Sequence, residues 1–173
     1  MYILNYNDFL LEIFASELIK DGDETRLSKA ERIEIYYGGM SHRTAKNRIK
    51  TIYFDTIDKD GSGKNRRVKV QIPDYRQISK DKKMTTKEKL EMTLEDGDIK
   101  MDCSCPDFLY KGYKYIGTEK EYSINSETLP PYIRNPNLEG TLCKHGLAVL
   151  LNIDKYTDKI ANDIEQYSKK NKK

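Results

Sequence analysis

"MDCSCPDFLYKGY", residues 101–113, places two cysteines one residue apart, directly before a Pro-Asp turn. A second stretch, "GTLCKHGLAVLL" at residues 140–151, places a cysteine and a histidine at the same spacing. Together the two pairs contain all three cysteines of the 173-residue chain and one of its two histidines. This concentration of thiols and an imidazole in two close pairs is typical of a metal site.

The candidate ligands are Cys103, Cys105, Cys143 and His145. Zinc takes four thiolate or imidazole donors at tetrahedral corners. Ligands two residues apart on a strand point to opposite sides, so the first pair needs a turn, which Pro106 and the aspartate after it supply. The second pair lies where a helix is predicted to begin, and a short bend there can aim both side chains inward. We therefore predict one zinc ion held by these four residues.

The sequence leaves three other uses of these residues open. A Cys103–Cys105 disulfide would close a strained small ring and leave Cys143 unexplained. A nucleophilic cysteine with His145 as its base would leave the other two cysteines without a role. The thiols could also be buried structural side chains. An odd number of cysteines favours metal ligation in a reducing compartment.

The predicted zinc is structural, because four protein ligands fill a tetrahedral ion and leave no position for an activated water. Three thiolates, a neutral histidine and Zn²⁺ sum to a charge of −1, which makes a poor Lewis acid. The sequence contains no H-E-x-x-H motif and no base-deaminase signature. His42, the other histidine, is expected in an exposed loop. We expect no catalytic residues and no enzymatic activity.

The order C-x-C followed by C-x-H at a helix start resembles the SWIM zinc finger, which carries these ligands in a ββα unit. The resemblance covers roughly residues 98–152. It implies binding to DNA, RNA or protein and no zinc chemistry. The fuller pattern, "CSCPDFLY" followed by "NPNLEGTLCKH", is also similar to SWIM-type proteins of large tailed bacteriophages, several of which are virion components.

The sequence pattern along the whole chain predicts an α+β fold. We expect a small mixed domain with a β-hairpin, flanking helices and, in its C-terminal half, a ββα-like unit that is held together by zinc. Hydrophobic spacing predicts helices at residues 8–20, about 28–37, 85–95, 143–151 and from about 156 onward. β-Branched and aromatic runs predict strands at residues 47–57, 65–73 and 98–105, the first two forming the hairpin.

The chain divides into three predicted regions. Residues 1–96 form an N-terminal helical and hairpin region, and residues 154–173 form a C-terminal helix with a basic tail. Between them, residues 97–153 form the zinc-binding unit, whose long insertion at 106–142 is too rich in Pro, Asn and Gly for regular structure. Five tyrosines predict that the insertion packs on its own domain or on a neighbour rather than stacking on bases: Tyr110, Tyr113, Tyr115, Tyr122 and Tyr132.

The predicted hairpin turn, "DKDGSG" at residues 58–63, resembles the opening of a calcium-binding EF-hand loop. Asp58, Asp60 and Ser62 would take its first ligand positions. The twelfth position holds Lys69 instead of a bidentate carboxylate, and a strand follows the turn at once. We therefore interpret this segment as a polar turn.

The net charge of +3 is unevenly distributed. Residues 1–40 hold four basic and eight acidic residues, giving −4, whereas residues 41–73 hold nine and three, giving +6. Five basic residues of the hairpin could form one plate that contacts phosphates: Arg48, Lys50, Arg66, Arg67 and Lys69. The alternative is a solvated sheet face, since Lys and Arg also protect exposed strands.

Two binding functions are consistent with this sequence. The first is a structural or adaptor protein in a virion, with protein partners and local DNA contact. The second is a free DNA- or RNA-binding factor. The isoelectric point of about 8.6 lies below the value of about 9 that is typical of dedicated nucleic-acid binders, which favours the first.

The expected location is a virion or the host cytoplasm. No apolar run approaches the roughly 18 residues of a membrane span. The apolar N-terminal segment carries Asp8, Glu12 and Glu17, which argues against a signal peptide. We expect no small-molecule substrate.

Overall fold

The computed structural model describes residues 15–22, 24–41, 50–59 and 64–170, with the backbone alone at residues 76 and 77. The first part of the helix predicted at residues 8–20 and most of the hairpin turn predicted at residues 58–63 lie outside these residues. In chain order the elements are α1 (Ala15–Lys20), α2 (Glu24–Ala30), β1 (Ile33–Ser41), β2 (Thr51–Asp58), β3 (Asn65–Gln71), α3 (Tyr75–Ile78), α4 (Thr86–Asp96), β4 (Lys100–Cys103), α5 (Pro106–Tyr110), α6 (Tyr113–Glu119), α7 (Lys144–Leu150), a 3-10 turn (Ile153–Tyr156) and α8 (Thr157–Lys170).

The four strands form one antiparallel sheet in the order β1-β2-β3-β4, which confirms the predicted α+β class and the β2–β3 hairpin. Strand β2 alternates strictly, so that every second side chain from Ile52 to Asp58 is buried. Val68 and Val70 of β3 are fully buried opposite Cys103 and Met101 of β4. The alternation gives the sheet one apolar face, which joins the hydrophobic core, and one face that carries polar and charged side chains.

Strand β1 replaces a predicted helix. The prediction of a helix at about residues 28–37 is wrong, since α2 ends at Ala30 and Ile33 begins a strand that pairs with β2. The apolar positions Ile33, Ile35 and Tyr37 repeat every second residue, while Ile33, Tyr36 and Tyr37 also fit a helical period. Pairing with β2 along seven residues decides between the two patterns, because tertiary contacts override local propensity.

The insertion contains more regular structure than its composition predicts. Its first part forms α5 and α6, so the prediction that residues 106–142 lack regular structure is wrong for this part. Proline at the first position of α5 needs no hydrogen-bond donor there, and Gly112 takes a left-handed conformation between the two helices. A later segment pairs with β4: Met101 N donates to Tyr122 O at 2.7 Å, and Ile124 N donates to Met101 O at 3.0 Å.

Helix α7 lies at the centre of the molecule. Every residue from His145 to Leu150 is buried, and the helix contacts α1, α2 and three strands of the sheet. The predicted helices at 85–95, 143–151 and from about 156 are confirmed as α4, α7 and α8, and α4 begins with a capping box between Thr85 and Glu88. None of the described helices is long and apolar enough to cross a membrane.

We predict that Gly112→Ala destabilises the fold more than Gly39→Ala does. Both glycines have positive φ, 76° and 91°, so either substitution costs roughly 1 kcal/mol in backbone conformation. A Cβ at position 112 would also clash with the ring of Pro131, whereas nothing lies within 4 Å at position 39. Overpacking should add about 1–3 kcal/mol to the loss at position 112. Urea unfolding of both variants with bound zinc measures the difference, and equal losses would contradict the close approach of Pro131 to Gly112.

Candidate metal centre

The structure brings the four predicted ligands together. Cys103 ends β4, Cys105 directly precedes α5, Cys143 caps the N-terminus of α7 and His145 lies in its first turn. One ligand atom from each residue lies within 4.8 Å of the others, and all four side chains are buried. All three cysteines are free thiols, so the structure does not contain the alternative Cys103–Cys105 disulfide.

The chain turns between the first two ligands because Ser104 is fastened to β3. Its backbone N–H donates to Arg67 O at 2.9 Å, and its hydroxyl accepts from Arg67 N at 2.9 Å. Pro106 then starts α5 at once. This exit from the strand keeps both sulfurs on the buried side, as the C-x-C spacing requires.

The second pair is held by the start of α7. Cys143 has the extended backbone of a helix cap, and its Sγ accepts a hydrogen bond from Gly146 N at 3.4 Å. His145 follows two residues later, already inside the helix. The ordinary geometry of a capped helix therefore places a sulfur and an imidazole at the same buried point.

Burial and hydrogen bonds among the three thiols shift their pKa values in different directions. Hydrogen bonds from the Cys103 and Cys143 thiols lower the pKa of Cys105. The pKa of Cys103 is raised, first by its hydrogen bond to Cys105, and burial raises the pKa of Cys143. A divalent cation would stabilise all three thiolates together, which is why metal binding to such a site releases protons.

The imidazole also fits a metal. Both ring nitrogens of His145 are buried and have no hydrogen-bond partner among the described residues. Leaving such a group unsatisfied costs about 1–3 kcal/mol. Nε2 lies 3.4 Å from Asp58 Oδ1, which leaves Nδ1 available to the ion. The buried Cys3His set therefore supports one structural zinc ion, which would cross-link β4, α5 and α7.

Asp58 is a residue of this site that the sequence interpretation missed. It ends β2, only 8% of its surface is exposed, and its Oδ1 lies 2.8 Å from Lys144 Nζ as well as near His145. The carboxylate can accept the second imidazole N–H, as outer-shell carboxylates of zinc sites do, while the lysine balances its charge. The signal was the alternation of β2, which places position 58 on the same face as Phe54.

The structure does not bring the four described residues of the predicted basic plate, Lys50, Arg66, Arg67 and Lys69, onto one face. Arg67 and Lys69 lie on the polar face of β3, but each is paired with a carboxylate. Arg67 makes two hydrogen bonds to Asp55, at 2.8 and 3.0 Å, and Lys69 Nζ lies 3.4 Å from Asp102. Acidic residues on the neighbouring strands thus neutralise this face, as the alternative of a solvated sheet face describes.

Two further residues of the predicted plate, Arg66 and Lys50, do not lie on this polar face. Arg66 is on the same face of β3 as buried Val68, opposite to Arg67. Lys50 is partly buried, 5.9 Å from each of two tyrosine rings, and burial lowers its pKa. Arg48 lies outside the described residues, as does His42.

We predict that His145→Ala removes the zinc and His42→Ala does not. The protein as purified without chelator should contain one zinc per chain. Because metal-binding free energy is folding free energy, His145→Ala should destabilise the fold by about 4 kcal/mol or more. Metal analysis and thermal unfolding of both variants check this. Zinc well below one per chain in the unaltered protein would contradict the site.

We predict that Asp58→Asn weakens zinc binding by about 10–100-fold, the usual effect of losing an outer-shell carboxylate. Asp55→Asn is the matched control. It removes a carboxylate from the same strand, but that carboxylate is paired with Arg67 on the polar face. Competition with a chelator gives both zinc affinities. Equal affinities for the two variants would show that Asp58 does not support His145.

Comparison with known proteins identifies the ligand pattern. Neither the curated proteins nor the solved structures give a match. Residues 90–114 and 137–154 match the family model of the SWIM zinc finger, and the gap between the two segments falls within the insertion. These segments contain all four clustered residues in the order C-x-C…C-x-H. Two segments of the chain therefore match the SWIM zinc finger, and the clustered Cys103, Cys105, Cys143 and His145 fit its C-x-C…C-x-H pattern.

Proposed function

We propose that this chain is a non-enzymatic, zinc-stabilised adaptor that binds another protein of an assembly through the surface of its insertion. The observation that carries the proposal is the concentration of exposed apolar side chains between residues 109 and 138. Ile133 is 95% exposed, Leu129 76% and Tyr132 75%. We call these three residues and Leu138 the insertion patch. Large apolar side chains grouped on a surface are typical of protein interfaces.

The backbone below the insertion patch is fastened in place. The Asn135 amide donates to Lys111 O at 3.1 Å and to Glu139 O at 3.0 Å, and its oxygen accepts from Glu139 N at 2.9 Å. Apolar side chains on a fixed loop lose little conformational freedom when a partner covers them, so binding costs less. The hydrogen bonds of Asn135 therefore hold the loop in the conformation that exposes the patch.

The other tyrosines of the insertion differ in burial, and Tyr115 is half-buried. Tyr113 and Tyr122 are buried, and the Tyr122 hydroxyl donates to Thr141 O at 2.5 Å. Tyr110 is exposed like Tyr132, with Arg134 over its ring at 5.7 Å. The buried tyrosines anchor the insertion to its own domain, as predicted, whereas the exposed ones and the arginine are residue types enriched in interfaces.

Zinc would serve this role by fixing both ends of the insertion. The segment begins directly after Cys105 and ends directly before Cys143, so the ion closes a loop of 37 residues. With four protein ligands the ion keeps no open position, which supports a function without zinc chemistry.

A place in the virion of a tailed phage is the finer form of this proposal. It rests on the similarity of "CSCPDFLY…NPNLEGTLCKH" to phage proteins. The alternative, a free DNA- or RNA-binding factor, has less support from the hairpin, because the two basic residues on its polar face are already paired with carboxylates.

The adaptor role predicts a cross-link from the insertion patch. A photo-reactive amino acid at Ile133, in the chain expressed in its source, should attach to one discrete protein species. The same amino acid at Met92, an exposed apolar position on α4, is the matched control and should not. Ile133→Ser should abolish the interaction, detected with the probe at Leu129, while changing stability by less than about 0.5 kcal/mol.

Two outcomes count against the proposal. Identical products from positions 133 and 92 would show that the attachment is unspecific. The absence of any product from position 133 would remove the adaptor role. Mass spectrometry of purified particles tests the finer form alone, since a protein missing from particles can still have an adaptor role in the cell.

A further inference from the structure

A basic cleft lies beside the metal centre. It has a volume of about 350 Å³ and lies between α2, the start of β1, the end of β2 and the N-terminal parts of α5 and α7. Two of the residues that line it are aspartates, Asp58 and Asp107, and six are basic, which gives a formal charge of +4: Arg26, Lys29, Arg32, Lys59, Lys111 and Lys144.

Three of these six basic residues already form an ion pair with a carboxylate. Arg26 lies 3.4 Å from Asp107, Lys144 lies 2.8 Å from Asp58 and Lys59 lies 3.3 Å from Glu34. The other half, Lys29, Arg32 and Lys111, form no ion pair within the part of the chain that the structure describes. Three uncompensated cations around one hollow repel each other, and an anion placed among them would relieve the repulsion.

We propose that this cleft binds a phosphate group. A tetrahedral phosphate offers several acceptor oxygens and up to two negative charges, which suits one arginine fork and two lysine point charges better than a monovalent anion does. The two aspartates hold Arg26 and Lys144 in place as part of the wall. The phosphate can come from a free phosphate compound or from the backbone of a nucleic-acid strand.

The cleft shares residues with the metal centre. Asp58 contacts both Lys144, which lines the cleft, and His145, which belongs to the zinc finger. Asp107 lies two residues after Cys105, in the first turn of α5. The ion that fixes α5 and α7 would therefore also fix two walls of the cleft, and phosphate binding should depend on bound zinc.

The proposal is independent of the insertion patch. Among the basic residues of the cleft, only Lys111 belongs to the insertion, and its backbone carbonyl, not its ammonium group, fastens the loop. A failure of one proposal therefore leaves the other standing.

The test uses the full zinc-loaded chain and three probes: inorganic phosphate, a single-stranded oligonucleotide and the matching duplex. We expect saturable phosphate binding by calorimetry, and a melting temperature that rises with phosphate concentration. The double variant Lys29→Gln/Lys111→Gln should bind about tenfold more weakly or worse, because it loses two charge-assisted contacts. Lys80→Gln/Lys82→Gln removes the same charge from exposed positions and should change the affinity less than about twofold.

The probes distinguish the sources of phosphate. Phosphate that competes with an oligonucleotide supports a backbone phosphate as the ligand, and phosphate that binds where no oligonucleotide does supports a free phosphate compound. An equal loss of phosphate affinity in the two double variants would show that only the overall charge of the protein matters, and it would overturn the proposal. Absence of binding by all three probes would overturn it as well.

Discussion

Three thiols and an imidazole buried at one point form the constraint on which the rest of the structure depends. Without a cation, the pKa values of Cys103 and Cys143 are raised while that of Cys105 is lowered, and both imidazole nitrogens lack a hydrogen-bond partner within the described residues. A zinc ion would stabilise the three thiolates and give the imidazole a partner at the same time, because it binds three thiolates and one imidazole nitrogen. Two of the elements that carry the ligands are short, since β4 has four residues and α5 has five. Their positions depend on the shared ion more than on local propensity.

Asp58 extends this constraint into the sheet. The alternation of β2 buries three uncharged side chains and then places a carboxylate on the same face, next to His145. A buried carboxylate without a partner would be costly, and the pair with Lys144 from α7 offsets that cost. The sheet and the zinc finger thus meet through a charged contact as well as through the hydrophobic core. This contact also forms one wall of the basic cleft.

The zinc ligands could be predicted from the sequence because their spacing is local and the chain has few cysteines. The β2–β3 hairpin and α7 follow from local patterns for the same reason. Strand β1 could not be predicted, because Ile33, Tyr36 and Tyr37 fit a helix as well as a strand until β2 is present to pair with them. The basic cleft could not be predicted either, since its residues come from four segments of the chain. Three of its six basic residues lie in the N-terminal stretch whose net charge is −4.

The length of the insertion has a physical explanation in the way the metal closes it. The entropic cost of closing a loop grows only with the logarithm of its length, by about 0.6 kcal/mol for each doubling, so a zinc finger tolerates 37 residues between its ligand pairs. Part of that cost is offset inside the insertion, where Tyr122 is buried and the neighbouring backbone pairs with the edge of β4. At residues 129–138 the backbone is fastened through Asn135, whereas the side chains of Leu129, Tyr132 and Ile133 are exposed and lie outside the core. The zinc finger and its sheet therefore form a base on which the exposed side chains of the insertion can vary without loss of the core.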